Sequence, residues 1–239
     1  MEHGKTKLLY LDDSYVTSFS ASVLEAGDEW VLLDQTYFHP RGGGLVSDVG
    51  IMKFAGGEAK VVEASFGESG VVHRLEGPVP AAGSFVECSI DWEKRYRLMR
   101  LHTGLHVLAA HMVQKTGALI TGNNISFDNA RVDFSLENFD RTLMEQIVQE
   151  TNKKLEEGHA VKIYYMEREK VLNTPGMVKL AGRLPPDIPI LRIVEIEGID
   201  IQADGGPHVH NTSEVGQLFL SKLENKGKTN RRMYFTVTP

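Results

Sequence analysis

Two histidines four residues apart, His102 and His106 in Leu101-His-Thr-Gly-Leu-His-Val-Leu108, are answered far downstream by Asp200-Ile-Gln-Ala-Asp-Gly-Gly-Pro-His-Val-His-Asn-Thr212. No other feature constrains the fold as much. On a helix, positions i and i+4 share a face within about 6 Å, so both imidazoles can reach one ion. The downstream segment supplies Asp204 and His208, with His210 two residues on, and its paired glycines let the backbone bend sharply around a bound group. A histidine pair alone is a weak signal and fits better at the edge of a core, bonded to backbone. The distant acid and imidazoles make a metal site the better reading. The expected ligands are His102, His106, Asp204 and His208, three nitrogens and one oxygen. His210 competes with His208, because residues i and i+2 of an extended strand face the same side.

The spacing is not that of a zincin peptidase. Such a helix reads His-Glu-x-x-His, with the Glu as general base, and Thr103 stands at that position here. His39 and His111 are expected to be exposed or capping residues, and His3, His73 and His159 carry no signal. Neither a Gly-x-Ser-x-Gly elbow nor a Gly-x-x-x-x-Gly-Lys phosphate loop occurs.

Apolar periodicity changes at Asp91. Before it, short β-branched or aromatic runs (Leu8–Leu11, Trp30–Leu33, Lys60–Val62, Gly70–Leu75, Ser84–Ile90) are separated by turn signals such as Arg41-Gly-Gly-Gly44 and Gly77-Pro-Val-Pro80. That pattern suggests a small antiparallel barrel or sandwich over residues 1–91. After it, Leu98, Leu101, Leu105, Leu108 and Met112 form a helical stripe from Trp92 to Gln114. A second helix is expected from about Glu137 to Glu157, with Phe139, Leu143, Ile147 and Leu155 on one face. Strands fit Ala130–Ser135, Val161–Tyr165, Leu191–Ile196, Gly216–Leu220 and Met233–Val237, and the proline-bearing stretch Thr174–Pro189 reads as a loop. The expectation is α+β: a small N-terminal antiparallel β-barrel domain, then an α/β domain over residues 92–239 with an antiparallel sheet and helices.

With 26 basic and 32 acidic residues the net charge is -6, which argues against a protein that coats DNA or RNA indiscriminately. The single cysteine, Cys88, cannot form an internal disulfide, and the first residues lack a signal peptide's apolar core. A cytoplasmic, membrane-free protein is expected. Neither the charge nor the spacing speaks to oligomeric state.

Three separated motifs resemble the AlaX-type alanyl-tRNA editing proteins, free-standing relatives of the editing domain of alanyl-tRNA synthetase. Thr36-Tyr-Phe-His-Pro-Arg-Gly-Gly-Gly-Leu-Val-Ser-Asp-Val-Gly50 resembles the family's glycine-rich segment. Arg95 to His106 resembles its histidine helix, closely from Met99 onward. Leu191 to Gly216 is similar to the terminal module shared by alanyl- and threonyl-tRNA synthetases. Two departures stand out: Asp204 replaces the family's cysteine ligand, and Leu45-Val46 replaces its Gln-Pro. Carboxylate is a legitimate zinc ligand but a harder one than thiolate, so another divalent metal could compete.

The resemblance implies hydrolysis of the ester joining serine, and in some cases glycine, to alanine tRNA. It favours His208 over His210 and implies one zinc per chain. Thr103 and Gln202 are candidate polar walls of the pocket. Gly42, Gly43 and Gly44 read as a wall of the channel for the tRNA end, or as a tight barrel turn. Lys94, Arg95, Arg97 and Arg100 cluster at the start of the histidine helix, and Lys222, Lys226, Lys228, Arg231 and Arg232 crowd the C-terminal hairpin. Either group could meet phosphate or remain a solvated charge run. The rival expectation is a noncatalytic tRNA- or synthetase-binding protein whose metal site is structural or lost.

Overall fold

The computed structural model describes residues 1–137, 140–174, 177 and 187–238. Phe139 and most of the expected loop Thr174–Pro189 lie outside the described residues. The chain divides into two compact units, Met1–Tyr96 and Arg97–Pro239.

In the first unit the strands Ser18–Ala26, Trp30–Leu33, Val71–Glu76, Gly57–Phe66, Gly50–Phe54 and Phe85–Ile90 pair antiparallel, in that order, into a closed barrel. The reason is legible in Phe85–Ile90, where Val86, Cys88 and Ile90 point inward while Phe85, Glu87 and Ser89 point out. Alternate positions of the other strands add Val23, Val31, Leu33, Met52, Val61, Val71 and Leu75 to one core. Register shifts in Ser18–Ala26 and Gly57–Phe66 supply the local bends that closure needs. The expected strand Leu8–Leu11 is instead a short strand, Thr6–Leu8, followed by a 3₁₀ turn, Leu9–Leu11.

The second unit holds most of helix α1 (Trp92–Thr116) and all of α2 (Arg141–Glu156) and the short α3 (Arg168–Asn173). Leu98, Leu101, Leu105, Leu108 and Met112 are all buried, as the stripe requires. Helix α2 starts later than expected, at the N-cap Asp140, whose carboxylate accepts from the Leu143 amide. Among the described residues the single expected sheet is two. One runs in the order Ile120–Ile125, Ala130–Phe134, Arg231–Val237, Leu218–Asn225; the other in the order Val161–Glu167, Ile190–Ile196, Asp200–Ala203. The tight turn at Glu197–Ile199 folds Asp200–Ala203 back on Ile190–Ile196, so that Asp204 leaves the sheet directly. No helix among the described residues is long and apolar enough to cross a membrane.

Candidate metal centre

His102 and His106 lie one turn apart on α1, and the segment leaving Asp200–Ala203 carries Asp204 and His208 against them. One ligand atom from each of the four falls within 4.8 Å of every other. The Nε2 atoms of His102 and His106 stand 3.5 and 3.8 Å from Asp204 Oδ2, and that of His208 stands 3.3 Å from Asp204 Oδ1. A tetrahedral ion with bonds of about 2.0–2.2 Å needs ligand atoms about 3.3–3.6 Å apart, so the donor set suits a metal once its widest separations, up to 4.8 Å, draw in by about 1 Å. The three imidazoles are buried, whereas the Asp204 side chain is 22% exposed. Beyond it, a methyl group built on Gly205 would meet nothing within 4 Å. The cluster therefore opens to solvent on the Asp204 side.

Each ring is oriented from behind. His102 Nδ1 donates to the Pro207 carbonyl at 3.2 Å and His106 Nδ1 to Asp200 Oδ2 at 2.9 Å, while His208 Nδ1 and the Thr103 hydroxyl share a hydrogen bond of 3.0 Å. The carbonyl and the carboxylate favour a proton on Nδ1 of His102 and His106, and all three Nε2 atoms face Asp204, where a bound metal would take the place of their protons. Arg192 holds the loop itself, donating to the carbonyls of Asp204 and Gly206, while the Gly206 amide donates to Asp204 Oδ1 at 2.7 Å.

The proton balance reflects this crowding. Burial lowers His106, but hydrogen bonds to Asp200 and Asp204, and the charges of both, outweigh it and raise the imidazole to about 9. Burial alone would raise Asp204, yet the charge and hydrogen bond of His102, with the bonds from His106 and His208, hold it well below the usual carboxylate range. His208 falls well below its ordinary value through burial and the neighbouring charge of His102.

Other candidates occupy different places. Thr103, read as a pocket wall, is fully buried, its hydroxyl taken up by His208 Nδ1 and the Val209 amide. Gln202 donates to Asp200 Oδ2 at 2.6 Å. His210 is exposed, and its amide donates to Glu214. Two expectations are corrected: His39 is buried against Tyr10, and His111 packs toward α2, bonding Thr151 Oγ1 at 3.0 Å. In the glycine-rich segment Gly42 and Leu45 exchange backbone hydrogen bonds around Gly43 and Gly44, both at positive φ, which makes a tight turn in the first unit.

The basic clusters are largely engaged. Arg95 is fully buried in a forked ion pair with Asp48 and also bonds the Ser14 and Tyr37 carbonyls, which removes it from any phosphate surface. Arg97 bonds the Phe127 carbonyl and Thr236, and Arg100 the carbonyls of Val215 and Thr238. Arg231 caps the carbonyls of Gly227 and Lys228, and Arg232 pairs with Asp133 in bidentate fashion. Lys226 and Lys228 are exposed on the hairpin turn. The sequence reading missed Asp200, Arg192 and the Pro207 carbonyl. An arginine inside the apolar run Leu191–Ile196 was the one visible hint.

Residues 191–234 match the family described as the threonyl and alanyl tRNA synthetase second additional domain. The chain is 48% identical to the alanyl-tRNA editing protein AlaX-M of Saccharolobus solfataricus, over 98% of this chain and 100% of that one. It is 40% identical to the AlaX-M protein of Methanosarcina acetivorans, over 97% and 99%. The alanine–tRNA ligase of Pyrobaculum neutrophilum is 35% identical across 98% of this chain, which spans 27% of that longer protein. End-to-end identity at this level, on a barrel followed by a unit that gathers three histidines and an acid, means that the chain belongs to the AlaX-M family of alanyl-tRNA editing proteins.

Proposed function

We propose that this protein is a trans-acting aminoacyl-tRNA deacylase. It hydrolyses the ester joining a wrong amino acid, chiefly serine and also glycine, to alanine tRNA, with one zinc ion per chain held by His102, His106, Asp204 and His208. The observation that carries this reading is the convergence of those four side chains on one point that is open to solvent beside Asp204. Four protein ligands complete a tetrahedron, so a reacting oxygen would enter as a fifth ligand or sit beside the ion on the exposed Asp204 side. Bound there, a divalent metal supplies positive charge to the reacting oxygens, an effect worth several kcal/mol. Asp204, harder than thiolate, widens the choice of ion beyond zinc.

An aminoacyl ester is already activated, so its hydrolysis needs no side-chain nucleophile. Cys88 could not serve as one, since burial pushes its thiol up to about 12 and keeps it protonated. Serine exceeds alanine by one hydroxyl, which an apolar synthetic pocket rejects only by about 100-fold. A site with a polar partner for that hydroxyl does the reverse, because alanine leaves the partner unpaired. Among the basic candidates, the exposed Lys228, with Lys226 beside it in an ion pair with Glu224, offers the reach toward phosphate, and binding through them weakens as salt rises.

The test is amino acid release from seryl- and alanyl-charged alanine tRNA in parallel, with catalytic amounts of protein. Fast, selective serine release is expected, with loss of both metal and activity in His106→Ala. Release from neither substrate by the metal-loaded protein would leave a binding role in its place.

A further inference from the structure

We propose that Asp200 is a positioning residue of this site: its carboxylate, held by Gln202, fixes the His106 ring and strengthens that imidazole as a metal donor. The inference rests on the metal reading above. The three imidazoles differ in what stands behind them. His102 has a carbonyl, His208 a hydroxyl and His106 a carboxylate. A hydrogen bond to an ionised acceptor is roughly twice as strong as a neutral one, and it pushes electron density through the ring to the far nitrogen. Asp200 is 3% exposed and His106 4%, so water competes for neither.

The strand supplies the grip. Asp200 and Gln202 alternate onto one side of Asp200–Ala203, and the Gln202 amide donates to the same Oδ2 that accepts from His106. Asp204, at the strand's exit, approaches the other edge of the same ring, 3.8 Å from Nε2. One short hairpin strand thus holds His106 from both edges. Charge gives a second argument. Three neutral imidazoles and Asp204 offer a dication one negative charge, and the buried carboxylate of Asp200 supplies the other. It stands where the site uses a carboxylate, a weaker charge donor than thiolate, as its fourth ligand.

The experiment measures zinc affinity by chelator competition, and the cobalt(II) absorption spectrum, on Asp200→Asn, Asp200→Ala and Gln202→Leu. Asp200→Asn preserves shape and an acceptor oxygen, so it keeps the test alive if Asp200→Ala fails to fold. The expected losses of zinc affinity are about tenfold for Asp200→Asn and up to about a hundredfold for Asp200→Ala, with Gln202→Leu smaller in the same direction. The cobalt bands of Asp200→Asn should shift. A merely structural Asp200 would lower the thermal stability of Asp200→Ala while Asp200→Asn kept wild-type affinity and spectrum, and that result overturns the proposal. A wild-type chain that takes up neither ion overturns it together with the metal reading. Because no tRNA is involved, weakened metal binding in Asp200→Asn on a chain without deacylase activity would uphold this inference and reject the function.

Discussion

Gly206 is where the site has least room. A Cβ there would lie 2.5 Å from His102 Cε1 and 2.8 Å from its Nδ1, closer than such contacts occur. The ring cannot easily yield, since it stacks on His208 with centroids 4.1 Å apart and its Nδ1 is tied to the Pro207 carbonyl. Gly205, beside it, faces open space. Gly206→Ala is therefore expected to displace His102 and lower zinc affinity roughly tenfold or more, while Gly205→Ala leaves it unchanged. Chelator competition on the two variants checks this; equal affinities would remove His102 from the ligand set. Residues of this kind were unevenly legible. The i, i+4 histidines announce themselves because helical spacing alone puts them on one face. Asp200 does not, since an acid at a strand start is ordinary, and nothing in its spacing tells that it faces an imidazole edge.

The 3₁₀ turn Thr212–Val215 follows the ligand loop and ties it down. Asn211 caps that turn: its side chain accepts from the Ser213 amide and donates to the Gly158 carbonyl, while Glu214 accepts from the Asn211 amide in a reciprocal box. Thr212, fully buried, accepts from the His159 amide and donates to the Leu155 carbonyl. The Asn-Thr pair of the terminal motif thus belongs to scaffolding rather than chemistry. Asn211→Ala should cost about 1–2 kcal/mol of stability, read from denaturant unfolding. A wild-type midpoint would show the cap to be idle. Elements with strong alternation, such as Phe85–Ile90, could be read directly from the residues. Ser18–Ala26 could not, because Ser18, Ser20, Ala21 and Ser22 give little apolar contrast even though the strand lies between two barrel neighbours. The division into two sheets was hidden as well, since pairing partners depend on turns and long-range packing that periodicity does not encode.

At the scale of the whole molecule, a closed barrel must fill its interior from alternate positions, and one of those positions is a histidine. His73 lies between Val71 and Leu75 on the inward side of its strand, fully buried, with Nε2 2.9 Å from Thr36 Oγ1 and its ring against Phe38. Burial lowers its pKa to about 4. The sign follows from proton binding. Between the unfolded value near 6.5 and the folded value, the unfolded chain takes up a proton that the barrel refuses. Stability from this group is complete above about pH 6.5 and is lost progressively as pH falls toward 4. Between pH 7 and pH 5 the loss is about 2 kcal/mol. His73→Gln keeps a polar tip for Thr36 but removes the titration. Both tryptophans, Trp30 and Trp92, belong to this unit, so their fluorescence follows its unfolding. The expected result is a variant less stable at pH 7 but flatter by about 2 kcal/mol between pH 7 and pH 5, other titrating groups cancelling in the comparison. Parallel pH profiles for the two proteins would mean that the barrel opens to let His73 charge before it unfolds.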